Sequence, residues 1–116
     1  MDLLLEFFIY YNDELDKLKQ KMGFSIIEDA AQSMGAYYKK KHAGTFGKIS
    51  AFSTHPLKNL NSLGDGGFII TNEKKLYDKI KVYRNHGLKG RDNVEIIGVN
   101  SRLDSLNAEV LNFRLI

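Results

Sequence analysis

Two short apolar runs, Ile49-Ser-Ala-Phe52 and Gly67-Phe-Ile-Ile-Thr71, stand on either side of a polar loop. This pairing constrains the fold more than any other feature of the chain. Each run has the length and the β-branched or aromatic content of a short strand. One loop joins them and no helix intervenes to carry a crossover, so Gly67–Thr71 is expected to run antiparallel beside Ile49–Phe52. The loop also holds the only proline, Pro56, two residues before Lys58. Its ring fixes φ and stiffens the approach to the lysine. Gly64, Gly66 and Gly67 bracket Asp65, which allows a tight turn or a close approach of backbone to ligand. A lysine on a stiff loop at a strand end can be positioned for chemistry. Taken alone, Lys58 reads as a solvated surface residue.

The chain before this hairpin follows α/β grammar. Asn12 or Asp13 can cap a helix running to about Met22, with Leu15, Leu18 and Met22 on one face and Gly23 as its stop. Phe24 to Glu28 reads as a buried strand with Asp29 at its carboxyl end, and Ser25–Glu28 is expected beside Ile49–Phe52 in parallel. Gly35 to Gly47 is a glycine-punctuated connection with room for a short strand at Ala36–Tyr38. After Thr71, Asn72 is placed to cap a helix from Glu73 to about Asn85, with Leu76, Ile80 and Tyr83 as its apolar face and Gly87 ending it. Leu88 to Val99 reads as loop. Asn100 or Ser101 starts a last helix, in which Leu103, Leu106, Val110 and Phe113, with Leu111, line one side. The apolar start, Met1 to Tyr11, is too short to span a bilayer and lacks the basic beginning and cleavage site of a signal peptide. A packed strand or helix and a non-native apolar tail fit it equally.

Composition removes several classes. The 116 residues suffice for one domain of ordinary size. With no cysteine, neither a disulfide framework nor a thiolate metal site is possible. His42 and His86 share no spacing with other ligand types, and His55, beside a proline, reads as structural. The net charge of +3 is scattered except at Lys39-Lys40-Lys41, which a solvated turn explains better than a phosphate or nucleic-acid patch. Beyond Tyr37 and Tyr38, no aromatic residues are interleaved with it. Asp29 and Lys58 both follow strands at their carboxyl ends, the edge at which open α/β sheets bind ligands, so the two should converge.

Seven blocks carry a resemblance. They are Glu28-Asp-Ala-Ala-Gln32, Gly44-Thr-Phe-Gly47, Phe52-Ser53, Pro56-Leu-Lys-Asn59, Gly64-Asp-Gly-Gly67, Arg84-Asn-His-Gly87 and Asn100-Ser-Arg-Leu-Asp104. In this order and spacing they resemble the DegT/StrS-type sugar aminotransferases, fold-type-I enzymes dependent on pyridoxal 5'-phosphate (PLP). The resemblance runs from about Asn12 to Leu115. It implies an α/β fold, part of the PLP-dependent aspartate-aminotransferase-like large domain, with a mixed, mostly parallel sheet and flanking helices. It also implies a single partial domain over residues 1–116: an unmatched start at 1–11, the later part of the large domain at 12–99, and at 100–116 a helix leading toward a small domain that the chain lacks.

The resemblance assigns roles as well. PLP is an electron sink whose aldehyde is held by a lysine and whose ring nitrogen is kept protonated. Lys58 matches the Schiff-base lysine, which also serves as general acid–base once freed. Asp29 matches the carboxylate that favours the pyridinium, and Gln32 the residue near the ring hydroxyl. Ser53 matches the serine that binds the phosphate, and Asn100 the asparagine that a second subunit contributes to it. Each has a plainer reading: Asp29 as a turn residue, Gln32 as a surface amide, Ser53 as a strand-to-loop serine, Asn100 as a helix cap. The implied activity is transfer of an amino group, from glutamate as donor, to a nucleotide-linked keto-sugar by a cytoplasmic homodimer that binds neither nucleic acid nor membrane. The Asn100-to-Asp104 motif looks most like enzymes acting on 3-keto sugars of dTDP. Related dehydratases carry histidine where Lys58 stands, so lysine favours amino transfer. A non-catalytic remnant of such an enzyme, and a basic nucleic-acid-binding module, are the alternatives.

Overall fold

The computed structural model describes residues 14–115. The apolar start and the expected cap at Asn12 or Asp13 lie outside them. Residues 14–22 form helix α1, and Gly23 closes it by donating its N–H to Lys19 O at 2.8 Å. The order thereafter is β1 (Ile27–Asp29), β2 (Tyr37–Tyr38), β3 (Lys41–His42), β4 (Ile49–Ser53), β5 (Gly67–Ile70), α2 (Lys74–Tyr83) and α3 (Ser105–Arg114).

The three longer strands form a sheet in the order β1-β4-β5. Strand β1 runs parallel to β4, with Asp29 opposite Ala51, and β5 runs antiparallel to β4, with Phe68 opposite Phe52. Both orientations are those expected from the sequence. Side chains alternate across the sheet, so Ser50, Phe52 and Phe68 share one face and Ala51, Ile69, Ile27 and Asp29 the other. The first face is filled. Ser50 and Phe52 are buried, and the Phe52 and Phe68 rings stack with centroids 4.9 Å apart. The second face is open, and Ile27 is 75% exposed.

Strand β1 is shorter and less buried than the sequence predicts. Lys48 N–H donates to Ile26 O at 2.9 Å, but β4 begins only at Ile49, so the ladder starts at Ile27 and Phe24 and Ser25 lie outside it. The expected strand at Ala36–Tyr38 is a hairpin arm, Tyr37–Tyr38 paired with Lys41–His42. Lys39 and Lys40 form its turn, with φ of 48° and 65°. Two positive φ values match the right-handed twist of a hairpin, although lysine adopts them at a cost. The Tyr37 and His42 rings, edge to face at 4.9 Å, help hold the arms together.

Glu28 explains the connection into β4. Its carboxylate accepts the N–H of Gly44 at 2.7 Å and that of Gly47, folding the Ala43–Gly47 loop onto β1. Ser50 Oγ donates to Gly44 O at 2.6 Å. Gly44 admits no side chain, since a Cβ there would stand 2.3 Å from the Phe52 ring.

The helices depart from expectation at their ends. Helix α2 begins at Lys74 behind Glu73, and Thr71, not Asn72, organises the turn: its Oγ1 accepts Glu73 N–H and donates to Lys48 O. It ends at Tyr83, two residues early, because Asn85 and Gly87 turn back to Val82 O. Gly87 has φ 73°, and a Cβ on it would lie 1.7 Å from Ile96 O, so the loop at 94–98 can pass only over glycine. Tyr83 is exposed, and only Leu76 and Ile80 of the expected face are half-buried. Helix α3 starts at Ser105 and is capped by Asp104, whose Oδ1 accepts Leu106 N–H at 2.8 Å. Asn100 and Ser101 do not cap it. They pair with 84–86, where Ser101 N–H donates to Arg84 O and His86 N–H to Val99 O. Of the expected apolar side, Leu111 is buried, Val110 is half-buried, Leu106 and Phe113 are exposed, and Leu103, half-buried, precedes the helix.

Candidate active site

The parallel pairing of β1 and β4 sets the site. Both strands point their carboxyl ends to one edge, and Asp29 and Ala51 are register partners. Ser53 follows Ala51 by two residues, so Asp29 and Ser53 emerge on the same face at the same edge. Ala30 N–H donates to Ala51 O at 2.9 Å, extending the pairing one step past β1. The chain then turns, and Asp29 Oδ1 accepts the Ala31 N–H at 3.1 Å. The other carboxylate oxygen takes no partner among the described residues. Gln32 lies exposed in this turn.

The lysine loop leaves β4 from the same edge. Ser53 Oγ accepts His55 N–H at 3.2 Å, His55 Nδ1 accepts Leu57 N–H at 3.2 Å, and Lys58 N–H donates to His55 O at 2.9 Å. Thus His55 shapes the turn that presents Lys58, a structural role. Asn61 Nδ2 donates to Pro56 O, and Leu60 buries its side chain under the loop. Lys58 is half-buried, and its amine makes no hydrogen bond or ion pair among the described residues. Asn59 Nδ2 donates to Met34 O at 3.3 Å, which ties the lysine loop to the turn carrying Asp29 and Gln32. Sequence reading gave Asn59 and Glu28 no role. Both stand inside matched blocks beside singled-out residues, which is the signal that could have drawn attention to them.

Four of the five singled-out residues, Asp29, Gln32, Ser53 and Lys58, therefore sit on one edge or on loops leaving it. Asn100 does not join them by a hydrogen bond; it lies exposed beside Asn85, and its Oδ1 accepts from Arg102 Nε at 3.2 Å. A separate open cleft of about 700 Å³ lies between β4–β5 and α2, lined among others by Phe68, Tyr77, Ile80, Arg84 and Leu103. Neither Asp29, Ser53 nor Lys58 lines it, so it is not the strand-edge site. Among the described residues no cluster of histidines and carboxylates could hold a metal ion, and no helix is long and apolar enough to cross a membrane.

Solved aminotransferases superpose on this chain. One from Brucella abortus does so with a TM-score of 0.84 at 36% identity, over 90% of this chain and 28% of that one. DesV of Streptomyces venezuelae, solved with a ketimine intermediate, has a TM-score of 0.84 at 41% identity, over 89% and 28%. The chain belongs to the DegT/DnrJ/EryC1/StrS aminotransferase family, matched over residues 12–116. A relative named dTDP-3-amino-3,4,6-trideoxy-alpha-D-glucose transaminase, from Streptomyces venezuelae, is 41% identical over 103 residues, 89% of this chain and 27% of its own length. The UDP-2-acetamido-2-deoxy-3-oxo-D-glucuronate aminotransferase of Pseudomonas aeruginosa is 41% identical over 99 residues, 85% and 28%. The chain spans about a quarter of the length of these relatives.

Proposed function

We propose that this chain supplies the cofactor-holding strand edge of a PLP-dependent aminotransferase that moves an amino group from glutamate to a keto-sugar carried on a nucleotide. The observation that carries the reading is the shared edge: Asp29 and Ser53 on one face of adjacent parallel strands, with the lysine loop tied across to the Asp29 turn by Asn59. The donor set fits the cofactor group by group. Asp29 keeps a carboxylate oxygen uncommitted for a protonated ring nitrogen, and an anion there favours the charged ring. Gln32 offers an amide to the ring hydroxyl. Ser53 offers a hydroxyl to the phosphate, and Lys58 a free amine to the aldehyde. When bound, the cofactor supplies the electron sink that lets an amino group change carbon.

The chain's own residues do the rest. Lys58 would hold the cofactor through its amine and, once released, would move a proton between the donor carbon and the cofactor carbon. The pins at His55, Leu60 and Asn61 restrict its approach, and restricted approach is where much of an enzyme's rate comes from. Asn100, on a different part of the surface, serves the phosphate of a second subunit in a cytoplasmic homodimer. The lysine at position 58 supports amino transfer over dehydration. The relatives' printed substrates, sugars linked to dTDP or UDP, support a nucleotide-linked sugar as acceptor. The Lys39–Lys41 turn supports no nucleic-acid role, since the Lys41 amine sits 4.5 Å over the Phe46 ring.

The test is site-selective capture. The chain is mixed with pyridoxal phosphate, reduced with borohydride and mapped by mass spectrometry. Adduct concentrated at Lys58, and lost there in Lys58→Ala, is expected. Adduct spread evenly over the exposed lysines would contradict the reading and favour a non-catalytic remnant.

A further inference from the structure

The loop that carries Lys58 is closed at its neck by one residue. Thr54 N–H donates to Gly66 O at 2.9 Å, and Thr54 O accepts both the N–H and the Oγ of Ser62, at 2.8 and 2.9 Å. Thr54 and Ser62 are buried, at 0% and 4% exposure. Bonds of this kind hold a loop firmly only while water is kept from them. Thr54 Oγ1 itself is buried and has no hydrogen-bond partner among the described residues. It faces Gly66, where an added Cβ would stand 2.7 Å from that oxygen.

The same Cβ would stand 2.9 Å from Cδ1 of Leu103. Thr54 Oγ1 and Leu103 Cδ1 therefore both close on the space that a side chain at position 66 would occupy, and only glycine leaves room for them. Leu103 reaches it from a segment anchored elsewhere, since residues 99–101 pair with 84–86 through Ser101 N–H to Arg84 O, Arg84 Nε to Ser101 O, and His86 N–H to Val99 O. One side chain thus presses an independent part of the chain onto the neck of the lysine loop.

We propose that Leu103, seated on Gly66, is a positioning residue for Lys58: it seals the Thr54–Ser62 neck against water and fixes the base from which the lysine loop projects. Asn100, three residues earlier on the same segment, is braced by the same contact. The inference rests on the reading of Lys58 as the cofactor lysine, and a misplacement of about an ångström at such a residue costs orders of magnitude in rate.

The experiment compares the wild-type chain with Leu103→Ala, Leu103→Met and Ile97→Ala, the last at a side chain 96% exposed. Two quantities are read: hydrogen exchange of the Thr54 and Ser62 amides, and the rate at which pyridoxal phosphate forms a borohydride-fixable adduct at Lys58. In Leu103→Ala both amides are expected to exchange roughly tenfold faster. Adduct formation at Lys58 should slow roughly tenfold while other lysines react unchanged. Methionine, which is flexible and nearly the same volume, restores both. Ile97→Ala changes neither. Should Leu103→Ala unfold the chain, Leu103→Val, which trims less, takes its place. Unchanged exchange at Thr54 and Ser62, or an adduct rate at Lys58 that ignores Leu103, overturns the inference. A wild-type chain without preference for Lys58 overturns instead the functional reading beneath it.

Discussion

Replacing Glu28 by alanine is expected to remove a large part of the chain's stability, although its carboxylate forms no ion pair among the described residues. The reason is what the carboxylate holds. It accepts two backbone N–H groups, from Gly44 and Gly47, and Gly44 is buried beneath the Phe52 ring. A hydrogen bond to a charged acceptor contributes about 1.5–3 kcal/mol, and an abandoned buried donor keeps its full desolvation penalty. Gly44 N–H has no route to water, whereas Gly47 and Glu28 are half-buried, so the second bond is discounted. The expected loss is about 2–4 kcal/mol, a substantial fraction of the roughly 5–15 kcal/mol that holds a typical domain. Glu28→Gln keeps one acceptor oxygen but turns a donor toward the other N–H, so about half of that loss is expected. Urea unfolding followed by far-ultraviolet circular dichroism measures both, with the midpoint shift read at constant slope. A loss below about 0.5 kcal/mol for Glu28→Ala, the level of an ordinary surface change, would refute the reasoning.

Other outcomes follow from the same geometry. In a complete enzyme built around this chain, Asp29→Ala should retain covalent capture of the cofactor at Lys58 yet lose most turnover; single-turnover assays that find unchanged transfer would contradict the role of Asp29. Gly87→Ala should destabilise by more than about 1 kcal/mol, because its φ is 73° and the new Cβ meets Ile96 O at 1.7 Å; thermal melting reads this directly. The chain should self-associate, since Ile27, Leu106 and Phe113 are among its exposed apolar groups, at 75%, 65% and 79% exposure. Sedimentation giving a clean monomer would count against that expectation.

The topology was legible because it depends on backbone economy. A loop with no helix to carry a crossover sets β4 and β5 antiparallel, and a glycine-punctuated return from β1 permits the parallel pair. Element ends were less legible, because they are decided by partners far along the chain. Asn72 and Asn100 are good capping residues by composition, yet Thr71 organises α2 through Lys48 O and Asp104 caps α3. Asn100 is occupied by its bridge to Asn85, a pairing across a long loop that no local pattern announces. The division of α3's apolar side into covered and open residues was hidden for the same reason. A helical period identifies an apolar stripe but not which neighbours reach it, and here Leu111 is covered while Leu106 and Phe113 are not.

The candidate site divides along the same line. Its chemistry was readable, since an amine, a carboxylate, an amide and a hydroxyl stand at strand ends in a known order. Its support was not, because the supporting residues are serine, threonine, glycine and asparagine, which are ordinary in any loop. Thr54 looks like one more strand-to-loop hydroxyl until Ser62 and Gly66 close upon it. Gly66 looks like turn chemistry, but it needs no unusual backbone angle; it leaves the space that Thr54 and Leu103 close upon. Residues that react must bring a particular functional group, and that group is visible in one letter of sequence. Residues that hold them in place need only a shape and a partner, and the partner of this loop's neck stands far downstream, at Leu103.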